Sequence, residues 1–133
     1  MKGVLTDTGP LYAAYDSSDS YHSEAQQSLI ILAERSLPVV LIYPVLLECH
    51  NLLLKRFGTA IGLRFLQEMK TGTLIINPDS VDYDRAIQML QTYRDQRITL
   101  CDATIAIVSQ RLKLPIWSYD FHFDVMRSQR WQG

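Results

Sequence analysis

Cysteine is scarce, with only Cys49 and Cys101 in 133 residues. No CxxC spacing joins them, so neither a disulfide framework nor a zinc site is implied. An excess of one charge is missing as well: 13 Lys and Arg stand against 14 Asp and Glu, for a formal net charge of −1. That balance excludes a strongly basic nucleic-acid-binding tail and an acidic disordered region, while leaving room for a local basic patch. Glycine and proline, six and five in number, fall mostly at the edges of apolar runs, so nothing reads as collagen-like or low-complexity. Long apolar runs are also absent. The N-terminus reaches Asp7 before it can build the core of a secretory signal. The greasiest window, 37–54, contains Pro38, Pro44, Glu48, His50 and Asn51, which a spanning helix would have to bury in hydrocarbon at a cost of several kcal/mol. The expectation is a protein with no membrane segment, cytoplasmic, with reduced thiols.

What is present is an ordinary globular balance, 47% apolar and 20% charged, at a length that suits a single domain over 1–133 with one core. Periodicity alternates short strands with longer helices. A brief run at 3–6 ends at Asp7, and Pro10 opens a helix over 11–15. Asp19 or Ser20 can cap a second helix to about 35, with Ala25, Leu29, Leu32 and Ala33 on one face. The continuous β-branched run 38–43 predicts a buried strand. Pro44 starts a helix to about 57, apolar on nearly every side, and after Gly58-Thr59 another follows over 60–70. A third strand over 73–76 closes at Asn77-Pro78, and Asp79 or Ser80 caps a helix carrying Ala86, Met89, Leu90 and Tyr93. A helix over about 102–113 keeps Cys101, Ile105, Val108 and Leu112 inward, before a fourth strand at 115–119 and a short helix or turn from Phe121. This alternation implies βαβ crossovers, hence an α/β fold with a mostly parallel sheet covered on both faces. Ligands of such sheets gather outside the carboxyl ends of the strands, where strand order reverses.

Four carboxylates point to that edge. Asp7 and Asp120 follow the first and fourth strands, Asp102 opens a helix, and Glu48 lies one turn into the helix leaving the second strand. Glu48 and Asp102 stand in apolar company, Val45-Leu46-Leu47-Glu48-Cys49 and Leu100-Cys101-Asp102-Ala103, where a carboxylate is costly unless paired or bound to metal. Taken singly, Asp7 and Asp102 can be helix caps, Glu48 a surface position and Asp120 a loop residue. The coincidence of all four at one edge is what those readings leave unexplained. Four carboxylates without a cluster of His or Cys suit hard cations, Mg²⁺ or Mn²⁺, and phosphodiester hydrolysis is the natural chemistry of such a site.

These residues resemble the motifs of the PIN domain nucleases, and within them the VapC-type toxins of toxin–antitoxin pairs. The resemblance runs from Val4 to about Met126. Asp7-Thr8 looks like the opening acidic motif, and the segment from Asp19 through Ala25 is similar to the start of the second helix. Pro44 with Glu48 resembles the second acidic motif, Asp102-Ala103-Thr104-Ile105-Ala106 the third, and Ser118-Tyr119-Asp120-Phe121-His122-Phe123 the fourth. The resemblance implies a three-layer α/β/α sandwich, frequent dimerisation, and Mg²⁺- or Mn²⁺-dependent cleavage of RNA. In it, Asp7, Glu48, Asp102 and Asp120 hold metal and carry catalysis, and the hydroxyls of Thr8 and Ser118 support them. It also implies a small antitoxin protein as partner. His122 stands where the family often has a second Asp, which suggests one firmly held metal and a weaker second. Asp124 is a partial substitute only if it faces the site.

Other residues carry two readings each. His22 is a possible general base, or a local hydrogen-bonding residue at a helix start. Cys49 and Cys101 behave as small hydrophobes. Lys55, Arg56, Arg64 and Lys70, against Glu68 alone, can steer RNA phosphates or form a solvated helix face. Two further functions compete with the endoribonuclease reading. A haloacid-dehalogenase-type phosphatase also starts from an Asp after the first strand, but needs a second acid where this chain has Gly9. A non-catalytic PIN-like protein-binding module is kept open by His122. The surplus of apolar residues over 45–57 and 60–70 predicts a homodimer, with part of that surface open to an antitoxin segment.

Overall fold

Each return from one strand to the next is made through two helices, and every strand pair is parallel. The computed structural model describes residues 1–133. The chain runs β1 (Val4–Thr6), α1 (Thr8–Tyr15), α2 (His22–Glu34), β2 (Val39–Ile42), α3 (Tyr43–Phe57), α4 (Thr59–Gly72), β3 (Leu74–Ile76), α5 (Ser80–Thr92), α6 (Leu100–Leu112), β4 (Ile116–Trp117) and α7 (His122–Val125). The sheet order is β3-β2-β1-β4. Helices cover both faces, giving the expected α/β/α sandwich, and none is long and apolar enough to cross a membrane.

Strand alternation divides the core between the two faces. Leu5 and Ile116 enter a large cluster with residues of α1, α3, α4, α5 and α6, including Val45, Leu53, Phe65 and Ile105. Their neighbours Val4 and Trp117 enter a smaller one with Ala13, Ala25 and Leu32 of α1 and α2. At Gly3 a side chain is impossible: a Cβ would stand 2.6 Å from the Pro38 carbonyl oxygen, and φ is +140°. This close approach starts the β1–β2 pairing, with the Val4 amide donating to that carbonyl at 3.0 Å. The tail closes the other edge. Residue 116 donates to the Gln129 carbonyl (2.8 Å) and accepts from the Trp131 amide (2.7 Å), which covers the exposed side of β4.

Some local expectations need correction. Helix α2 has no side-chain cap at its first turn; Asp19 instead binds the Tyr21 amide at 2.9 Å, one turn upstream. Ala33 is exposed, because α2 buries only Ala25 and Leu32 fully and the next position rotates out of that narrow stripe. Helix α6 begins at Leu100, capped by Thr99, and is buried continuously from Ala103 to Ser109. It is covered by both the sheet and α5, so a one-sided stripe underestimates it. Cys101 and Leu112, expected inward, are only half-buried.

Candidate active site

The order β3-β2-β1-β4 puts the reversal between β1 and β4, since the chain leaves β1 to one side for β2 and returns on the other side as β4. Asp7 ends β1 there. Its backbone amide donates to the Trp117 carbonyl of β4 (2.9 Å), and its side chain caps α1. Oδ1 accepts from the Thr8 amide (2.8 Å), and Oδ2 accepts from the Ser118 hydroxyl (2.8 Å). The same Ser118 oxygen accepts from the Asp120 amide at 3.0 Å, so one hydroxyl ties the two strand-end aspartates together. Asp120 Oδ1 in turn accepts from the His122 amide at 2.9 Å and lies 3.2 Å from its Nδ1.

Helix α6 delivers the third aspartate. Thr99 Oγ1 accepts from the Asp102 amide at 3.1 Å, and Asp102 Oδ2 accepts from the Thr99 amide at 3.5 Å, a capping box with Asp102 at the third helical position. Asp7 and Asp102 are therefore caps as well as candidate ligands. One ligand atom each from Asp102, Asp120 and His122 falls within 4.8 Å of the others. Burial pushes the Asp7 carboxyl up to about 6; its Ser118 hydrogen bond opposes this, while the charges of Asp102 and Asp120 add to it. Burial raises the Asp102 carboxyl too, with Asp120 and Glu48 adding to the shift.

The sequence reading is amended at several positions. His122 joins the acidic group, so the cluster includes a histidine that the motif pattern presented only as a missing aspartate. Asp124 does not compensate: it is exposed and pairs with Arg130 at 2.9 and 3.0 Å. Glu48 is exposed rather than in apolar company. The helical turn buries Val45, Leu46 and Cys49 and sends Leu47 and Glu48 outward, where Glu48 still reaches Asp102 and Cys101 through its field. Thr8 supports Asp7 by its amide, not its hydroxyl; Thr8 Oγ1 is buried without a partner beside the carboxylates. Ser118 does contact the acidic group through its hydroxyl, which donates to Asp7 and accepts from the Asp120 amide.

The remaining candidates separate cleanly. His22 Nδ1 lies 2.7 Å from the Ala13 carbonyl and stitches α2 to α1, away from the acidic group. Burial pushes both thiols, Cys49 and Cys101, up to about 12, which makes them inert. Lys55, Arg56, Arg64 and Lys70 are all exposed. Arg56 reaches Ser18 Oγ (3.4 Å), and its charge acts on Tyr12, which lines the groove of about 320 Å³ that holds Asp7 and Asp120. Arg64 turns elsewhere, to Glu68 at 3.9 Å and the Tyr15 ring at 6.0 Å, beside a separate groove of about 390 Å³.

The Ser118 bridge has a measurable consequence. In Ser118→Ala, Asp7 loses the hydrogen bond that favours its charged form, so its titration midpoint in metal-free protein rises above about 6. Carboxyl-carbon NMR across the acid range reads it. An unmoved midpoint would show that Ser118 does not hold Asp7.

Comparison with known proteins points the same way. A family model described as "PIN domain" matches residues 4–128. Ribonuclease VapC26 of Mycobacterium tuberculosis (strain ATCC 25618 / H37Rv) is 24% identical over 112 residues, 83% of this chain and 80% of that protein. Among solved structures, M. tuberculosis VapC20, a Sarcin-Ricin loop cleaving toxin, superposes with a TM-score of 0.84 at 18% identity, covering 98% of this chain and 100% of that one. VapBC2 from Rickettsia felis, bound to a DNA fragment from their promoter, gives 0.75 at 14% identity, covering 97% and 96%. A toxin–antitoxin complex from Klebsiella pneumoniae gives 0.69 at 21%, covering 90% and 88%.

Proposed function

Since the chain belongs to the PIN domain family, we propose that it is a metal-dependent endoribonuclease, the toxin of a toxin–antitoxin pair. The observation that carries this reading is the convergence of Asp102, Asp120 and His122 within 4.8 Å, beside the buried Asp7, at the switch point of the sheet. The donor set fits a hard divalent cation. Oxygen donors dominate, and the Asp7 and Asp102 carboxyls, raised first by burial and then by their acidic neighbours, are groups whose charge a cation would stabilise. Asp102, Asp120 and Asp7 would hold Mg²⁺ or Mn²⁺, with His122 as a nitrogen donor and Glu48 at the rim. When bound, the cation supplies an activated water and stabilises charge on the scissile phosphate.

The chain's own groups set the geometry. Ser118 and the Thr8 amide fix both oxygens of Asp7, so this carboxylate cannot rotate away from the crevice. Asp120 is fixed by Ser118 through its backbone and by the His122 amide through Oδ1. Arg56, whose charge acts on Tyr12 of the groove wall, offers a positive charge for the RNA backbone, with Lys55 exposed beside it in sequence; Arg64 lines a separate groove. The test is incubation of the full chain with unpaired RNA. Cleavage is expected with Mg²⁺ or Mn²⁺ and is lost on chelation; no cleavage with either ion overturns the reading and favours the non-catalytic binding module.

The antitoxin and a second copy of the chain are the proposed partners. The K. pneumoniae protein it resembles was solved as a toxin–antitoxin complex, which supports the antitoxin as a partner. Here α3 and α4, packed on one another, expose Leu47 (67%), Leu54, Phe57 and Leu63 (60%), apolar side chains that a partner surface would cover. Light scattering of the chain alone is expected to give twice the monomer mass, and Leu47→Glu with Leu63→Glu to return it to the monomer. A monomer at high micromolar concentration would refute the dimer.

A further inference from the structure

Two tyrosines near the acidic group serve neither core. Tyr21, at the entrance to α2, and Tyr119, in the loop between β4 and Asp120, stack with ring centroids 4.2 Å apart and planes 14° from parallel. Neither ring belongs to the two apolar clusters that hold the sheet and helices together. Both line the groove of about 320 Å³ that contains Asp7 and Asp120, with Tyr12 and Leu52 completing its apolar lining. Tyr119 is half-buried, with its hydroxyl buried and without a hydrogen-bond partner, whereas Tyr21 keeps 44% of its surface exposed. The backbone around Tyr21 is fixed independently of its ring: its amide donates to Asp19 Oδ1 at 2.9 Å, and its carbonyl accepts from the Ala25 amide at 2.8 Å.

A stacked aromatic pair with a half-buried inner ring and an exposed outer one, opening onto the groove of a phosphodiester-cleaving centre, is the arrangement that unpaired bases stack on. We propose that Tyr21, backed by Tyr119, is a stacking platform for an unpaired base of the substrate strand, next to the phosphate taken at Asp7 and Asp120. The proposal rests on the ribonuclease reading. A base engaged in a pair and in its own helical stack cannot lie on Tyr21, so the platform takes only an unpaired one. Tyr21 is a positioning residue: it fixes where the strand lies and leaves the bond-breaking chemistry to the carboxylates.

The experiment separates stacking from charge. Fluorescein-labelled oligoadenylate and an abasic ribose-phosphate oligomer of equal length carry the same phosphates, so the ratio of their dissociation constants reads base contact alone. Anisotropy titrations are made in chelator, where no cleavage occurs, with the wild-type chain, Tyr21→Leu and Tyr21→Phe. The intact oligomer is expected to bind wild type at least about tenfold tighter than the abasic one, the usual effect of one stacked base. Tyr21→Leu is expected to bring the ratio close to one, and Tyr21→Phe to keep it. A merely structural tyrosine would lower the melting temperature in Tyr21→Leu and leave the ratio alone. Equal binding of both oligomers by wild type, or an unchanged ratio in Tyr21→Leu, overturns the proposal. A separate incubation with Mn²⁺ tests the nuclease reading. Cleavage without a base-dependent ratio defeats the platform alone, while a Tyr21-dependent ratio without cleavage supports the platform and defeats the nuclease reading.

Discussion

Asp7→Asn, Asp102→Asn and Asp120→Asn will each lower metal-dependent RNA cleavage by about a thousandfold or more while leaving circular dichroism native. The amide nearly preserves the volume of the acid, and at position 7 its oxygen can still accept from the Thr8 amide, so the α1 cap survives. What disappears is a negative charge in a buried crevice, where electrostatic contributions are worth far more than in water. Glu48→Gln should cost less, about tenfold, because Glu48 is exposed and reaches Asp102 through its field rather than by a hydrogen bond. The ordering separates a cation site from helix capping. If two of the three aspartate variants cut RNA at the parental rate, the carboxylates are caps alone.

Much of this site was legible because strand ends are readable. An apolar run that stops at an aspartate places that residue at the carboxyl edge of a parallel sheet, which is why Asp7, Ser118 and Asp120 fall where the sequence puts them. Helix interiors were less readable, since a linear apolar neighbourhood is not a spatial one. Leu47 and Glu48 sit in a run of five residues, yet the 100° step of α3 turns them to solvent while Val45 and Cys49 go inward. The basic residues of 55–70 look like one patch in sequence, but the chain turns at Gly58, with φ at +93°, and Arg56 goes to Ser18 while Arg64 lines a groove with Tyr15 and Glu68. His122 was undervalued because a family pattern scores it as a lost aspartate. Its proximity comes from the turn into α7, where its own amide binds Asp120. The Tyr21–Tyr119 stack joins positions 98 residues apart, and no local pattern announces it.

Metal-free protein will be most stable in mild acid and will lose stability toward neutrality, and divalent cations will reverse the loss. Asp7 titrates at about 6 in the folded chain against an ordinary 3.8, so between those values the native state holds a proton that the unfolded chain has released. Its contribution is fully present below pH 3.8 and disappears as pH rises through 6. A shift of this size corresponds to about 3 kcal/mol; Asp102 moves in the same direction. Burial is the leading cause at both, with like-charge repulsion from the neighbouring carboxylates a secondary contribution. Carboxylates shifted in the opposite direction set the acid limit. Hydrogen bonds from Ser18 and Tyr12 hold Asp16 down to about 2. At Asp82, burial works upward, but the Arg111 guanidinium, bound at 2.8 and 2.9 Å, more than reverses it. Stability from Asp16 and Asp82 is present above pH 3.8 and fails as pH falls through their lowered values, so the metal-free optimum should lie at about pH 4–5. Mn²⁺ at a hundredfold excess over its dissociation constant restores about 2.7 kcal/mol at pH 7. Asp7→Asn carries no charge to desolvate, so in chelator at pH 7 it should melt higher than wild type by about 1–3 kcal/mol of stability, and gain less from Mn²⁺. The check is a melting series from pH 4 to 8 on both proteins, with chelator and with Mn²⁺. A wild-type chain whose metal-free stability is flat across that range, or an Asp7→Asn chain that melts lower in chelator and responds to Mn²⁺ as wild type does, would mean that Asp7 acts only as the cap of α1.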